Sequence, residues 1–384
     1  MKDLKILIVG GGIAGLSAMR ALELQGYSPT LVEKSDTIRS DGTGILLGIN
    51  AVSILTEMGH KEALENDGLE LSTMSALDER GDLIAACDLE YVKSKSGSKT
   101  YAIHRESIIS MLLNSVDKTK IQTGKKLSGI QNYKQAVQVS FENKDVEIYD
   151  LVIGADGIGS VVRESLYGDI KFRDAKQGCW RFVAKTPVGF DKNGIFEYFG
   201  VGKRAGYMPL KDGRLYAYVL LNSDKYDKNN LPSNEELLKN FDEFEGDWEL
   251  ISKAVLDSQK TVFNELKDLS TICLTKGNVA LAGDAVHAVT PNLGQGAAMG
   301  IEDGYMLAKI LKSSKTLDEA LKKYENARYK RVKMIRDKSF MIGKLAQSAS
   351  RAFCFVRNMI YRAMPSSMLA KDTLKTLSLK QKGF

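Results

Sequence analysis

The chain has 384 residues, 43% hydrophobic and 27% charged, with 54 Lys and Arg against 48 Asp and Glu for a net charge of +6. That composition provides for a sizeable core and excludes a disordered or collagen-like chain. The small basic excess suits anionic small molecules, and without a basic stripe interleaved with aromatics it offers no nucleic-acid interface. Four cysteines (Cys87, Cys179, Cys273, Cys354) and three histidines (His60, His104, His287) are scattered without a CxxC pair, so no metal site is expected. The thiols are expected to be free in a reducing compartment. A first strand at Lys5 leaves no room for a cleaved signal peptide, and no apolar run reaches bilayer length. The expectation is a cytoplasmic protein with no stable membrane insertion.

In chain order, Lys5 to Gly15 reads KILIVGGGIAG: an apolar run, then Gly10, Gly11, Gly12 and Gly15, then a helical pattern from Ile13 to Gln25. This is G-x-G-x-x-G between a strand and a helix, where a dinucleotide fingerprint belongs. Gly10 allows the tight turn, Gly12 lets backbone approach a pyrophosphate, and Gly15 lets helix pack on strand. The free N–H groups of the helix then face the phosphates. The next apolar run, Pro29 to Val32, ends at Glu33, where a carboxylate accepts a hydrogen bond from a ribose 2′-hydroxyl. FAD or NAD fits this site, whereas NADP does not.

After Lys34, a loop with Arg39, Gly42 and Gly44 suits backbone passing close to a ligand. A helix is predicted from Asn50 to Met58, then strand-like runs between Leu71 and Val92. His104-Arg105 opens another helix, and a β-meander is predicted from Ile121 to Tyr149. A second buried strand, Leu151 to Ile153, ends in Gly154-Ala155-Asp156-Gly157, with Arg163 shortly after. Strand-like runs and an acidic helical segment (Asn234 to Leu256) fill 174–269. A third landmark, Val279 to Asp303, holds Gly283-Asp284, Pro291 and Gly294-Gln295-Gly296-Ala297, after which the chain reads as helix.

In this order and context, the three landmarks closely resemble the single-component FAD-dependent aromatic hydroxylases, the para-hydroxybenzoate hydroxylase-like group, from the N-terminus to about Arg331. The resemblance implies an α/β fold: a Rossmann-like FAD-binding domain (1–70, 101–173 and 270–345) interrupted by an antiparallel β-sheet substrate domain (71–100 and 174–269), with a C-terminal helical segment (346–384). It implies that Gly10, Gly12, Ala14 and Gly15 cradle the pyrophosphate and that Glu33 holds the adenosine ribose beside Lys34. Arg39 and Arg105 would lie along the pyrophosphate and ribityl chain, with Asp284 at one end of that chain. Asp156 would match the aspartate linked to both FAD and the nicotinamide cofactor. Pro291, Gly294, Gln295, Gly296 and Ala297 would line the isoalloxazine. A helix N-terminus there would stabilise the charge of reduced flavin.

The implied reaction is hydroxylation of a small aromatic or heteroaromatic substrate by NADPH or NADH and O2, through a flavin C4a-hydroperoxide. Gly202-Lys203-Arg204, Met208-Pro209 and Gly213-Arg214-Leu215-Tyr216 resemble the urate hydroxylases in particular, implying that Arg204 and Tyr216 face the substrate. Arginine pairs bidentately with planar anions, and tyrosine donates or relays a proton. The competing reading is a structural arginine and a core aromatic. The strand GCWRFVAKT departs from the polar strand of urate hydroxylases, so urate is one substrate among several. His287 reads as a packed histidine beside the flavin loop. The last amphipathic-looking stretch, Ser348 to Met364, spreads its apolar residues around a helical wheel and is expected to pack against the body of the protein, where it would cap the substrate cavity as in tetracycline-inactivating relatives. A flavin-dependent reductase on the same fold and a non-catalytic flavin-binding module are the alternatives.

Overall fold

Four consecutive buried apolar residues, Ile6–Val9, form β1, which lies inside a six-stranded sheet. Gly10 turns the chain into Ile13–Leu24 (α1), and Thr30–Val32 (β2) returns parallel to β1. The computed structural model that gives this architecture describes residues 3–40, 42–258 and 261–379. Asp41 of the glycine-containing loop and the last five residues of the C-terminal segment lie outside the described residues.

The chain next makes a hairpin, Thr73–Leu77 (β3) and Leu83–Asp88 (β4). The predicted meander follows as a three-stranded antiparallel sheet within 127–149. Leu151–Gly154 (β5) then pairs parallel with the free side of β1. A second excursion supplies Phe172–Lys185 (β6), Gly194–Phe199 (β7), Lys203–Pro209 (β8), Arg214–Asn222 (β9) and Thr261–Leu269 (β10). With the hairpin they build a seven-stranded sheet in the order β10-β6-β9-β8-β7-β3-β4. It is antiparallel except between β7 and β3, which run parallel because the hairpin enters from a separate stretch of chain. Val279–Leu281 (β11) returns to β5, also parallel. Four helices complete the chain: Gly296–Ser313 (α2), Leu317–Ala346 (α3), Arg351–Ala363 (α4) and Ser366–Leu377 (α5).

Strand periodicity gives the seven-stranded sheet two unlike faces. One is a core in which Trp180, Phe182, Tyr198, Tyr207 and Val219 pack on Leu237, Trp248 and Ile251. These last belong to the acidic segment, which is two short helices, Asn234–Leu238 and Asp247–Leu256, rather than one, with Gly246 at φ of +70° before the second. The opposite face carries Arg181, Glu197, Arg204, Met208, Tyr216 and Tyr218.

The nucleotide-side sheet is held by α1 and α2, which approach closely through small residues. A Cβ at Gly304 would lie 2.6 Å from the Ala18 backbone, and one at Gly300 would lie 3.0 Å from the Ala14 Cβ.

The C-terminal stretch packs against the body of the protein as expected, but through one side only. In α4 the buried side chains are Cys354 and Arg357, while Phe353, Phe355, Val356, Met359 and Ile360 are exposed. The reason lies in the helical repeat. At about 100° per residue, Cys354, Arg357 and Tyr361 share one side, and the Arg357 Nη1 donates there to the carbonyls of Leu345 (3.2 Å) and Ala346 (2.7 Å).

Candidate active site

The first part of the site is the turn between β1 and α1. Gly10 has φ of +108°, and a Cβ there would stand 2.4 Å from the Ala155 carbonyl oxygen. At Gly15 a Cβ would meet the Gly10 oxygen at 1.9 Å. Both glycines are required by the protein's own packing. Gly12 differs: an added Cβ would meet no atom within 4 Å, so this position faces open space at the helix start. Gly12 is the N-cap of α1 and, among the described residues, has no side-chain cap, which leaves the first N–H groups of α1 for a ligand. Glu33 ends β2 beside this turn, its Oε2 accepting from the Gly11 N–H at 2.8 Å and Oε1 from the Ser35 N–H at 3.0 Å. Ala14 lies on the far side of the turn, against Gly283 and Gly300.

Lys34 and Arg39 are exposed, and the Arg39 carbonyl accepts from Arg105 Nη1 at 3.1 Å. Gly42 is needed for this arrangement, since a Cβ there would be 2.5 Å from the Arg105 side chain.

The second landmark joins the third. Asp156 Oδ1 accepts from the Ser160 hydroxyl (2.5 Å) and Oδ2 from the Val162 N–H (3.1 Å), so its carboxylate organises the start of the following helix. Burial pushes this carboxyl above its ordinary range, against those hydrogen bonds. Arg163, buried, donates to the Ala285 carbonyl at 2.9 Å and so fixes the loop bearing Asp284.

Asp284 itself is solvent-accessible, yet the protein mass around it raises its carboxyl, with His287 opposing. Asp284 is thus reachable by a ligand while its surroundings disfavour its charge. Behind it lies a buried charge network. His287 Nε2 is 2.6 Å from Asp303 Oδ2, which also accepts from the Gly283 N–H at 2.8 Å. Arg328 Nε donates to Asp303 Oδ1 at 2.6 Å and its Nη1 to Glu302 Oε2 at 2.5 Å. His287 thus holds the loop from behind.

From Pro291 the chain makes a short helical turn, and Gly294 takes φ of +60° before α2. Gln295 is the N-cap of α2 and does not close it with its side chain; instead its Oε1 accepts from Asn50 Nδ2 at 2.9 Å. The N–H groups at Gly296 and Ala297 therefore begin a long helix with an uncapped positive end.

The polar face of the seven-stranded sheet is turned toward this loop. Arg204 is 2% exposed and every arm of its guanidinium is engaged by protein. Nε donates to Gln347 Oε1 (2.9 Å), Nη1 to Glu197 Oε1 (3.1 Å), and Nη2 to Asn292 Oδ1 (2.9 Å) and Gln177 Oε1 (3.4 Å). Arg204 therefore ties the sheet to the loop and to the end of α3. Tyr216 sits against Gly44, with Arg181 and Thr43 close to it. Leu46, on the same strand as Gly44, is 2.9 Å from a Cβ placed at Gly294, so Tyr216 and the loop share a wall.

Sequence reasoning missed Glu197 and Tyr218. Tyr218 lies beside Glu197, and its ring fills the place that a Cβ on Gly206 would take, at 2.3 Å. Burial raises the Glu197 carboxyl, opposed by Arg204. Alternation along β7 and β9 placed both residues on the face of Arg204 and Tyr216, which was the available signal. Beside this polar group the wall is apolar, formed by Met208, Leu46, Ile195 and Met74.

The residues fit FAD. Two glycines are fixed by packing and a third faces open space at a helix start, with an acid at the end of β2. An accessible carboxylate follows Gly283, and a second uncapped helix start adjoins the polar sheet face. Comparison with known proteins agrees. Residues 3–339 match the FAD binding domain family model. The chain is 30% identical over 365 residues to 2-heptyl-3-hydroxy-4(1H)-quinolone synthase of Pseudomonas aeruginosa strain UCBPP-PA14, covering 94% of both chains. It is 27% identical to aurachin C monooxygenase/isomerase of Stigmatella aurantiaca, over 97% of this chain and 98% of that one. Klebsiella pneumoniae HpxO, solved with FAD and uric acid, superposes with a TM-score of 0.89 at 25% identity, covering 98% of this chain and 97% of the other.

Proposed function

Because the chain belongs to the FAD binding domain family and is an FAD-dependent monooxygenase, we propose that it hydroxylates a planar heteroaromatic ring bearing an apolar substituent. The observation that carries this reading is the composition of the sheet face toward the flavin loop, where Glu197, Tyr218, Arg181 and Tyr216 adjoin the apolar wall of Met208, Leu46, Ile195 and Met74. A ring with hydrogen-bonding edges suits the first group and an alkyl-type substituent the second. The names of two relatives, a heptyl-quinolone synthase and an aurachin C monooxygenase, accord with such a substrate.

Bound FAD, reduced by NADH or NADPH, supplies the activated oxygen. The chain's own residues do the rest. Gly12 and the start of α1 would take the pyrophosphate, Glu33 the ribose and Asp284 the ribityl end. The start of α2 would face the pyrimidine edge of the ring system. Arg204 holds the Pro291–Gly296 loop against the sheet. Tyr218 and Glu197 orient the substrate edge, and the raised Glu197 carboxyl can hold a proton near that edge. Reduced nicotinamide and the free Cys87, Cys179, Cys273 and Cys354 favour a cytoplasmic setting.

The test is NADH- and NADPH-driven oxygen consumption by the FAD-loaded protein, with product and peroxide measured together. Pyridines, purines and 4-quinolones would be offered with and without alkyl chains. We expect an alkyl-substituted heteroaromatic to stimulate consumption and to appear hydroxylated with little peroxide. Equal or better turnover of the unsubstituted rings would overturn the apolar-substituent reading.

A further inference from the structure

The helix α4 is inverted relative to an ordinary surface helix. Its charged Arg357 faces inward, and its outward side carries Phe355 (67% exposed), Met359 (55%), Ile360 (52%), Val356 (51%) and Phe353 (41%). With Ala352 and Ala363 between them, these residues form an arc free of charge. At about 100° per residue, Arg351, Asn358 and Arg362 line one edge of that arc, Arg362 being paired with Asp78. Soluble monomers seldom present apolar side chains together in this way unless the patch meets something. The surrounding chain is strongly one-signed: from residue 338 to the end there are nine Lys and Arg against Asp372 alone. Arg351, Lys344, Lys371 and Lys375 are exposed.

We infer that α4 seats the enzyme on an anionic lipid surface, lying in the plane of the interface with its apolar arc among the acyl chains and the basic residues at the headgroups. An apolar arc edged by cations on an otherwise folded chain is the chemistry of an interfacial helix. A second copy of the chain is the poorer occupant, because pairing two such faces would bring two basic segments together. The arrangement needs no membrane-crossing helix, and among the described residues none is long and apolar enough to cross one. The inference stands on α4 alone and is independent of the substrate.

Co-sedimentation of the FAD-loaded full chain with vesicles tests it, using phosphatidylcholine alone and phosphatidylcholine with an equal part of phosphatidylglycerol. The expected result is pelleting with the anionic vesicles, weakened by added salt. The triple variant Phe355→Ser, Met359→Ser, Ile360→Ser should lower vesicle partitioning by at least about tenfold, with flavin content and nicotinamide oxidation unchanged. Arg351→Glu should lower the preference for anionic over neutral vesicles. Failure to bind either vesicle, or equal binding to both, would overturn the inference. So would a dimer, measured by light scattering, that the triple variant dissolves while vesicles leave it intact.

Discussion

Arg204 Nη2 stands 2.9 Å from Asn292 Oδ1, a contact that joins the seven-stranded sheet to the loop after Pro291. The sequence left Arg204 either facing the substrate or structural, and in the structure its guanidinium is hydrogen-bonded to four protein acceptors. Arg204→Ala would leave Glu197, Gln177, Asn292 and Gln347 without their common donor, a loss of about 3–5 kcal/mol for a broken buried pair. We expect a lower melting temperature and more peroxide per nicotinamide oxidised. Arg204→Lys should not restore coupling, because an ammonium cannot serve four acceptors set out for a planar fork. Full coupling in the lysine variant would show that charge alone suffices.

Gly10 and Gly12 separate folding from cofactor binding. Gly10→Ala places a methyl 2.4 Å from a backbone carbonyl at positive φ and should impair the fold. Gly12→Ala meets no protein atom and should melt as the parent does without added FAD, while binding FAD roughly tenfold or more weakly. Thermal melts with and without FAD distinguish the two variants. Parental FAD affinity in Gly12→Ala would remove Gly12 from the pyrophosphate site.

Asp284→Ala removes the accessible carboxylate after Gly283. Loss of one hydrogen-bonding charge is worth about 1.5–3 kcal/mol, so FAD affinity should fall by about one to two orders of magnitude. Flavin-fluorescence titration of the stripped protein reads this directly. Unchanged retention of flavin through purification would refute the role.

Glu197→Gln keeps the shape of the side chain and loses its proton equilibrium. The variant should raise the substrate KM by about tenfold with flavin content intact, as loss of a charged hydrogen-bond partner requires. In the parent, KM should vary with pH above the ordinary carboxylate range, since burial raises this group. The variant should lose that dependence. A pH profile shared by both would place Glu197 outside substrate recognition.

Glu302 governs acid stability. Burial works to raise its carboxyl, but Arg328 and Arg331 override it and bring it down to about 2. A carboxylate held below its unfolded value of 4.5 contributes stability fully above that value. The contribution is lost as pH falls from 4.5 toward about 2. Glu302→Gln should melt lower at neutral pH, by about 3–5 kcal/mol of stability, and show a shallower decline across that window. Melting curves at several pH values decide it; parallel declines would assign the acid sensitivity elsewhere.

The nucleotide-binding end was legible because its residues act through local geometry. A strand, a glycine turn, a helix and an acid at the next strand end are close in sequence, and each has one physical reason to be where it is. The flavin loop was legible as a motif, but its support was not. His287, Asp303, Arg328, Glu302 and Asn50 meet across as many as 278 positions of chain, and one sequence holds no sign of that meeting. Tyr216 was placed on the site-facing side, yet Glu197 and Tyr218 follow from the same alternation once the strand pairing is known. The apolar residues of 348–364 spread around the wheel without marking a packed side. Apolar residues around most of a helix suggest burial, but the side that packs here is the one with Arg357, whose carbonyl partners come from the end of the preceding helix.

The helix contact through Gly300 and Gly304 and the salt-bridge network of Glu302 and Asp303 consist wholly of protein groups. The glycine contact clamps α1, which follows the phosphate turn, to α2, which begins at the ring end, and the salt-bridge network holds α2 to α3 and to the 283–287 loop. The spacing between the two cofactor-holding helix starts is thus set by the polypeptide itself, as in a socket moulded before its plug. The protein is therefore suited to removal and reloading of its flavin, since both helix starts are held by protein groups alone.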